Sequence, residues 1–506
     1  MRRPDARTLI GRVLDPHSWS SWDEPPVDTA APGSAYADEL AAARAKTGYD
    51  ESVITGEGTL DGRRVAVVAC EFSFMAGSIG GAAAERLVRA VERATAERLP
   101  LLASPASGGT RMQEGALAFT QMVKITSAVA AHRAAGLPYV VYLRHPTTGG
   151  VFASWGSLGH VTAAEPGAMI GLVGPRVFES LHGYPFPQGV QVSENLFAHG
   201  LVDAVVSDED AREIAIRALA VLCAPRRGLP RGPEPEEATE TVPAWEAVTR
   251  SRRDDRPGVR SLLKYGARDV TPLHGTGVGE RDAGLLLALA RFGAAPAIVL
   301  GQDRERQRAG DALGPAGLRV ARRGMRLASE LGLPLVAVVD TAGAELSKAA
   351  EEGGLAAEIA RCLADLAMLD APTVCLLLGE GAGGAALALL PADRVVCAQH
   401  AWLAPLLPEG ASAILYRTAD FAPEIAAAQG VRAADLRRDG IVDRIVPERP
   451  DAAYEPEDFC RRVAGTLEHE IIGLLERPAG ERLAARLARY RSLGSGPPAS
   501  GSPPGR

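Results

Sequence analysis

Apolar residues along the chain alternate between two periods, one typical of strands and one typical of helices. In the first third, "RRVAVVACEF" has the alternation of a strand, and "AAAERLVRAVERATAERL" has apolar residues at helical spacing. The strand "PLLAS", the long helix "RMQEGALAFTQMVKITSAVAAHRAA" and the strand "YVVYL" come next. Because strands that alternate with helices form parallel sheets with crossover helices, the pattern predicts an α/β fold.

The second half of the chain repeats landmarks of the first at one constant offset (384 − 150 = 234). The matched positions are Leu99 and Leu333, Gly109 and Gly343, Pro138 and Pro372, and Gly150 and Gly384. A constant offset without a gap indicates two copies of one domain in tandem.

Composition divides the chain further. A length of 506 residues is too great for one ordinary core. Residues 224–243, "APRRGLPRGPEPEEATETVP", are typical of a linker, which predicts domains at 1–223 and 244–475. The tail 494–506, "GSGPPASGSPPGR", is rich in Gly, Pro and Ser and is predicted to be disordered.

Charge and cysteine usage exclude several classes of partner. The net charge of −7 does not favour a nucleic-acid surface. The sequence contains neither a C-x-x-C pair nor an H-E-x-x-H motif, so we expect no metal site. No signal peptide and no apolar run of about 20 residues is found, so we expect a cytoplasmic protein that does not enter a membrane.

Glycine-rich loops follow predicted strands in both halves: "SGGTR" (107–111) and "TTGGV" (147–151), then "DTAGA" (340–344) and "GAGGAA" (381–386). Ligands of such sheets bind at the carboxyl ends of strands, where these loops lie. Main-chain N–H groups at the start of the following helix have no partner inside the helix, so two loops can direct two donors at one oxygen. We therefore predict one oxyanion hole in each half. "GEGAGG" (379–384) also fits a dinucleotide motif, but its counterpart "TTGG" does not.

Several of these segments resemble one known family. "CEFSFMAGSIGG" (70–81), "SGGTRMQEG" (107–115), "PTTGGVFAS" (146–154) and "EPGAMIGLVGPRV" (165–177) are similar to the β subunit of bacterial acetyl-CoA carboxylase carboxyltransferase. "GLPLVAVVDTAGA" (332–344), "GEGAGGAALAL" (379–389), "PEGASAILYR" (408–417) and "DGIVDRIVPE" (439–448) resemble its α subunit. The order of the halves resembles a fused β–α carboxyltransferase of a biotin-dependent acyl-CoA carboxylase.

The resemblance implies two tandem crotonase-like domains, each a ββα superhelix. It implies transfer of a carboxyl group from carboxybiotin, held by a biotin carboxyl carrier protein, to acetyl-CoA or another short acyl-CoA, which gives malonyl-CoA from acetyl-CoA. The first half would hold the acyl-CoA and the second half the biotin, with no metal. A biotin carboxylase and a second copy of the chain, in a homodimer or larger homo-oligomer, are further expected partners.

The resemblance also assigns site residues by position. The expected catalytic residues of the first half are Gly108, Gly109, Gly149 and Gly150. Those of the second half are Gly343, Ala344, Gly384 and Ala385. The expected substrate-binding residues are Gly383, from the resemblance, and four arginines named for their position or charge: Arg111, Arg176, and Arg304 and Arg306, which would meet CoA phosphates.

Two departures from the family keep alternatives open. The four-cysteine zinc ribbon with which the β family usually begins is not found, and "DTAGAELS" (340–347) replaces the family's usual "DTPGAYPG". The altered loop leaves open a non-catalytic scaffold subunit of a carboxylase, and the fold itself leaves open a crotonase-type acyl-CoA hydratase or decarboxylase.

Overall fold

The computed structural model describes residues 4–27 and 30–494, and its chain divides into two compact units. The first unit comprises Met1–Cys223 with Leu273–Glu280, and the second comprises Ala224–Pro272 with Arg281–Arg506. Most of the predicted disordered tail, residues 495–506, lies outside the described residues.

A seven-stranded sheet forms the centre of the first unit. Its strands, in spatial order, are Ser20–Ser21, Val53–Leu60, Arg63–Cys70, Leu101–Ser104, Tyr139–Leu143, Val161–Ala164 and Ala204–Val205. A second, two-stranded sheet pairs Thr147–Thr148 with Ile170–Gly171. The helices of this unit are Ala6–Val13, Ala35–Thr47, Gly81–Ala96, Gly115–Ala134, Gly149–Phe152, Pro175–His182, Ser193–Ala198 and Asp208–Leu222, with short 3-10 turns at Met75–Gly77, Met112–Glu114 and Trp155–Ser157.

The second unit has a sheet with the same number of strands. In spatial order they are Arg268–Leu273, Leu285–Phe292, Ala295–Gln302, Leu335–Thr341, Thr373–Gly381, Arg394–Ala398 and Arg444–Val446. The helices are Ala244–Ser251, Val259–Gly266, Arg304–Arg308, Pro315–Leu331, Lys348–Glu352, Leu355–Met368, Gly383–Leu387, Pro408–Tyr416, Ala422–Ala428, Ala433–Arg438, Pro456–Leu475 and Ala479–Ser492.

The predicted parallel order holds only for part of each sheet. Val53–Leu60 pairs antiparallel with Arg63–Cys70, whereas Leu101–Ser104 and the later strands of this sheet run parallel to their neighbours. Asp61 and Gly62 form the turn of this hairpin and have φ of +50° and +72°. Asp-Gly is a strong signal for such a two-residue turn, so the antiparallel pair could have been predicted from the sequence.

Burial on both faces explains why the central strands read as continuous apolar runs. Every residue of Leu335–Thr341 and of Thr373–Gly381 is buried, because helices cover the sheet. The amphipathic helix Pro315–Leu331 buries Leu318, Met325 and other residues of one face. The ends of these parallel strands carry the glycine-rich loops.

The segment 224–243 contains neither helix nor strand, yet it is held by the second unit. Ala238 N–H donates to Ile445 O at 2.9 Å, and Arg432 donates to Val242 O at 2.7 Å. The predicted domain end at residue 475 was too early, since Ala479–Ser492 continues as a helix. Arg486 of this helix forms a buried ion pair with Asp393 at 2.8 Å.

None of the helices in the described ranges combines the length and the apolar content that crossing a membrane requires.

Candidate active site

Two glycine-rich loops of the first unit lie side by side. We name residues 107–111 and 147–151 the first loop pair. Thr148 N–H donates to Ser107 O at 2.9 Å, which joins the two loops. A Cβ atom placed on Gly109 would lie 3.6 Å from Gly149 Cα and 3.8 Å from Gly150 N. The structure therefore brings together all four of the predicted catalytic glycines of this half.

Three of those four glycines use their N–H groups inside the protein. Gly108 donates to Ala76 O at 2.9 Å, Gly109 to Ser107 Oγ at 3.0 Å and Gly149 to Leu172 O at 3.0 Å. These three N–H groups are therefore not available to a ligand, so the prediction of donor roles for Gly108, Gly109 and Gly149 was wrong. Their role is to shape the loops.

Gly150 N–H and Thr110 N–H have no acceptor among the described residues. Gly150 is the second residue of the helix Gly149–Phe152, where an N–H has no partner within the helix. Thr110 lies directly after the glycine pair of the other loop. Thr110 was not predicted from the sequence as a site residue, although its counterpart at the offset of 234, Ala344, was.

The second unit repeats this arrangement in residues 340–344 and 381–386, which we name the second loop pair. Ala382 N–H donates to Thr341 O at 3.1 Å and joins the loops. Gly343 donates to Thr341 Oγ1 at 3.1 Å, and Gly383 donates to Ala404 O at 3.0 Å. The first two bonds have counterparts 234 residues earlier in the first loop pair, and in the third the donors Gly149 and Gly383 correspond while their acceptors, Leu172 and Ala404, lie 232 residues apart.

The N–H groups without an acceptor in the second loop pair include the equivalents of Thr110 and Gly150. Ala344 and Gly384 have no N–H acceptor within the described part of the chain. Ala385 follows Gly384 in the first turn of Gly383–Leu387, and its carbonyl accepts from Gln302 Nε2 at 2.7 Å. Gly343 and Gly383 are bonded internally and are not available as donors, whereas the N–H groups of Ala344, Gly384 and Ala385 have no acceptor within the described residues.

Backbone conformation explains why glycine occupies the internally bonded positions. Gly109 and Gly343 have φ of +110° and +141°, and Gly149 and Gly383 have φ of +62° and +67°. Residues with a Cβ atom rarely adopt these conformations, whereas glycine adopts them without steric cost. The glycines permit the turns that leave the next N–H in each loop free.

A polar cavity of about 320 Å³ adjoins the second loop pair. Its lining includes Arg304, Gln307, Arg308, Asp340, Gly343, Ala344 and Glu380. Arg304 is buried and pairs with Asp340 at 3.2 Å, and it donates to Ser251 O at 3.0 Å. The cavity thus offers side-chain donors and acceptors beside a free main-chain N–H.

The other predicted arginines do not line this cavity. Arg306 is exposed and absent from its lining, whereas Arg308 is present and bonds Asp254 at 2.8 Å. Arg111 is buried and donates to both oxygens of Glu51, one of them at 3.0 Å. This geometry does not support a substrate contact by Arg111. Arg176 lies in Pro175–His182, and its side chain lies outside the described part of the structure.

One cluster has the residue types of a metal site, namely His400, Glu448 and Asp451. Both oxygens of Glu448, however, accept from Arg256 at 2.7 Å, and His400 Nδ1 lies 2.8 Å from Glu448 Oε2. Burial alone would raise the pKa of Glu448, but Arg256 and His400 hold it well below its usual range. A guanidinium already neutralises this carboxylate, so the cluster is best described as a buried ion-pair network.

Comparison with known proteins places these loops in a family. Residues 28–482 match the carboxyl transferase domain model. The chain is similar to a probable biotin-dependent acyl-coenzyme A carboxylase beta3 subunit of Mycobacterium tuberculosis, with 62% identity over 98% of this chain and 99% of that one. It is also similar to the acetyl-coenzyme A carboxylase carboxyl transferase subunits beta/alpha of Salinispora tropica, with 37% identity over 97% of this chain and 91% of that one.

Solved structures show the same fold at low identity. A transcarboxylase 12S structure with methylmalonyl-coenzyme A bound superposes with a TM-score of 0.71 at 21% identity, over 99% of this chain and 92% of that one. A single-chain, multi-domain long-chain acyl-CoA carboxylase superposes with a TM-score of 0.70 at 19% identity, over 90% of this chain and 45% of that one. The predicted α/β fold is confirmed.

Proposed function

This chain belongs to the carboxyl transferase domain family, and we propose that it is the carboxyltransferase subunit of a biotin-dependent acyl-CoA carboxylase. It moves a carboxyl group from carboxybiotin, carried on a biotin carboxyl carrier protein, to a short acyl-CoA such as acetyl-CoA. A biotin carboxylase supplies the carboxylated carrier. The high identity to a named carboxylase subunit over the whole chain supports this reaction.

The observation that carries the proposal is the matched pair of free N–H groups in each unit. Thr110 and Gly150 in one unit correspond to Ala344 and Gly384 in the other. During carboxyl transfer, negative charge develops on the carbonyl oxygen of the thioester and on that of the carrier group. A fixed N–H donor directed at such an oxygen contributes about 3 kcal/mol of transition-state stabilisation. The ureido group that biotin would present after giving up CO2 would accept the α-proton of the acyl-CoA, so the reaction needs no strong side-chain base at either loop pair.

In this proposal the two loop pairs have different ligands. Thr110 and Gly150 hold the thioester oxygen of the acyl-CoA, which places its α-carbon for attack. Ala344 and Gly384 hold the ureido oxygen of biotin, and the polar cavity beside Ala344 fits a ring that bears both N–H and C=O groups. Biotin, when bound, supplies the carboxyl group in a form activated for transfer.

Exposed apolar side chains support self-association. On the first unit, Met112, Leu117, Phe119 and Val123 are 59–83% exposed and form what we name the first apolar face. On the second unit, Ile414, Leu415, Tyr416 and Phe421 are 44–66% exposed and form the second apolar face. Since exposed apolar residues concentrated in one segment mark protein interfaces, we propose that a second copy covers them, with the first unit of one copy against the second unit of the other.

The test is carboxyl transfer in the reverse direction. The purified chain is incubated with malonyl-CoA and free biocytin, and acetyl-CoA and carboxybiocytin are expected in equal amounts. Propionyl and longer acyl analogues of the substrate then give the acyl-chain preference. Turnover of acyl-CoA without biocytin would instead favour a hydratase or decarboxylase. Absence of any turnover, with carrier binding retained, would favour a scaffold subunit.

A further inference from the structure

We propose that Gln307 is a positioning residue for the second loop pair, acting through the hydroxyl of Thr341. The inference rests on the proposed function of this loop pair as the biotin site. Gln307 belongs to the helix Arg304–Arg308 and lines the same cavity as Ala344. It holds the loop in the shape that leaves Ala344 N–H free for a ligand.

Hydrogen bonds on both ends of the Gln307 amide settle its orientation. Nε2 donates to Gly284 O at 3.0 Å, so Oε1 is the end that faces Thr341. Thr341 Oγ1 lies 2.7 Å from this oxygen. Because an amide oxygen only accepts, the threonine hydroxyl donates to it.

The threonine oxygen in turn holds the main chain of the loop. Gly343 N–H donates to Thr341 Oγ1 at 3.1 Å. This bond maintains Gly343 at φ +141° and directs the next N–H, that of Ala344, away from internal acceptors. The chain of bonds therefore runs from Gly284 through Gln307 and Thr341 to the peptide that precedes the free donor.

Packing explains why this loop pair requires an extra anchor. A Cβ atom on Gly109 would lie 3.5–3.8 Å from main-chain atoms of the facing loop, so that loop is held by direct contact. A Cβ atom on Gly343 would meet nothing within 4 Å, so the second loop is not packed in this way.

The first loop pair also has no counterpart of the hydrogen bond between Thr341 and Gln307. Ser107 Oγ accepts Gly109 N–H at 3.0 Å, as Thr341 does for Gly343. The residue 234 positions before Gln307 is Ser73, and within the described residues it makes no hydrogen bond to Ser107. Gln307 thus distinguishes the proposed biotin side from the acyl-CoA side.

The experiment compares Gln307→Leu, Thr341→Val, Thr341→Ser and the double variant Gln307→Leu with Thr341→Val in malonyl-CoA-to-biocytin transfer. We expect Gln307→Leu to lower kcat about tenfold, while the KM for malonyl-CoA stays within about twofold, since one hydrogen bond is lost and the hydroxyl can turn to Gly343 O at 2.8 Å. Thr341→Ser keeps the hydroxyl and is expected to retain activity. The double variant is expected to be no slower than Thr341→Val, because Gln307 then has no hydroxyl to orient.

Gln429→Leu, at an exposed glutamine of the same unit, is the matched control and is expected to behave as the unaltered chain. The inference is overturned if Gln307→Leu keeps kcat within twofold, or if malonyl-CoA binding falls together with kcat. It is also overturned if the effects of Gln307→Leu and Thr341→Val on kcat multiply in the double variant. An unaltered chain without any biocytin transfer would instead refute the proposed function.

Discussion

Arg111 and Glu51 form a bidentate ion pair in the first unit, and each side chain is only 1% exposed. Tyr36, Ser52 and Ser78 complete the hydrogen bonds of the guanidinium. Opposite charges removed from water in this way stabilise the fold only while both partners remain. The pair therefore connects the last residue of the loop 107–111 to the body of the unit.

Replacing Arg111 with Leu is expected to destabilise the protein by about 3–5 kcal/mol, because Glu51 would be left buried without a partner. Urea denaturation measures this loss. Arg89→Leu is the matched control, since Arg89 is 58% exposed in its ion pairs, and a change of about 1 kcal/mol or less is expected there. A variant at Arg111 that folds normally but binds acyl-CoA poorly would restore the substrate role first predicted for it.

Replacing Gly150 with Pro removes the free N–H and is expected to lower kcat about 100-fold to 1000-fold. Gly150→Ala keeps the N–H, and its Cβ would meet Met122 Cγ at 3.0 Å, which a flexible side chain can relieve. Because the donor is kept, kcat of the alanine variant is expected to fall by less than about tenfold. Steady-state kinetics of malonyl-CoA-to-biocytin transfer distinguish the two, and equal losses would contradict a donor role for this N–H.

Gly343→Ala tests the strained turn of the second loop pair. The conformation at φ +141° is barred to alanine, so the loop must shift and Ala344 N–H must move with it. We expect about 1–3 kcal/mol of lost stability and at least about a tenfold fall in kcat. Gly332→Ala is the control, because Gly332 ends a helix at φ +60° with open space around it. That variant should lose about 1 kcal/mol of stability with unchanged kcat.

His132 predicts how stability depends on pH. Burial lowers the pKa of this imidazole to about 4, whereas the unfolded chain has its ordinary value near 6.5. As the pH falls from 6.5 towards 4, the unfolded chain binds a proton that the folded chain refuses, so stability decreases by up to about 3 kcal/mol. Above pH 6.5 this group adds no pH dependence.

Urea denaturation between pH 4 and pH 7 checks this. His132→Gln is expected to be less stable at pH 7, through loss of the contact with Thr95 Oγ1 at 3.0 Å, but to have a shallower pH dependence. His199→Gln, at an exposed histidine, should leave the slope unchanged. A slope that survives in His132→Gln would assign the acid sensitivity to other groups.

Phe119→Glu tests the proposed covering of the first apolar face. Phe119 is 65% exposed in the single chain, and a charge there would be buried by a second copy. We expect the oligomer to dissociate and activity to fall with it, as measured by sedimentation and by the transfer assay. Met368→Glu, at a residue 59% exposed outside both apolar faces, is expected to change neither. An unaltered oligomer in Phe119→Glu would exclude this face as the interface.

Particular elements show how far the sequence alone reaches. The tandem duplication was visible in the sequence because paired glycines recur at one offset, and the bonds Thr148–Ser107 and Ala382–Thr341 join the loops at matching positions. The antiparallel hairpin at Asp61 and Gly62 was missed because strand–helix alternation was read without the turn signal. The helix Ala479–Ser492 was missed because it lies beyond the last segment that resembled the family.

Taken by itself, the sequence determined the α/β class, the repeat and the location of the glycine-rich loops, since periodicity and glycine placement are local properties of the chain. Which main-chain donors remain free was decided only by tertiary structure. The partners of Gly108, Gly149 and Gly383 are carbonyl groups of Ala76, Leu172 and Ala404, which lie 21 or more residues away along the chain. An N–H group is available to a ligand only if no such acceptor lies within hydrogen-bonding distance in the fold. A local sequence pattern does not contain that information.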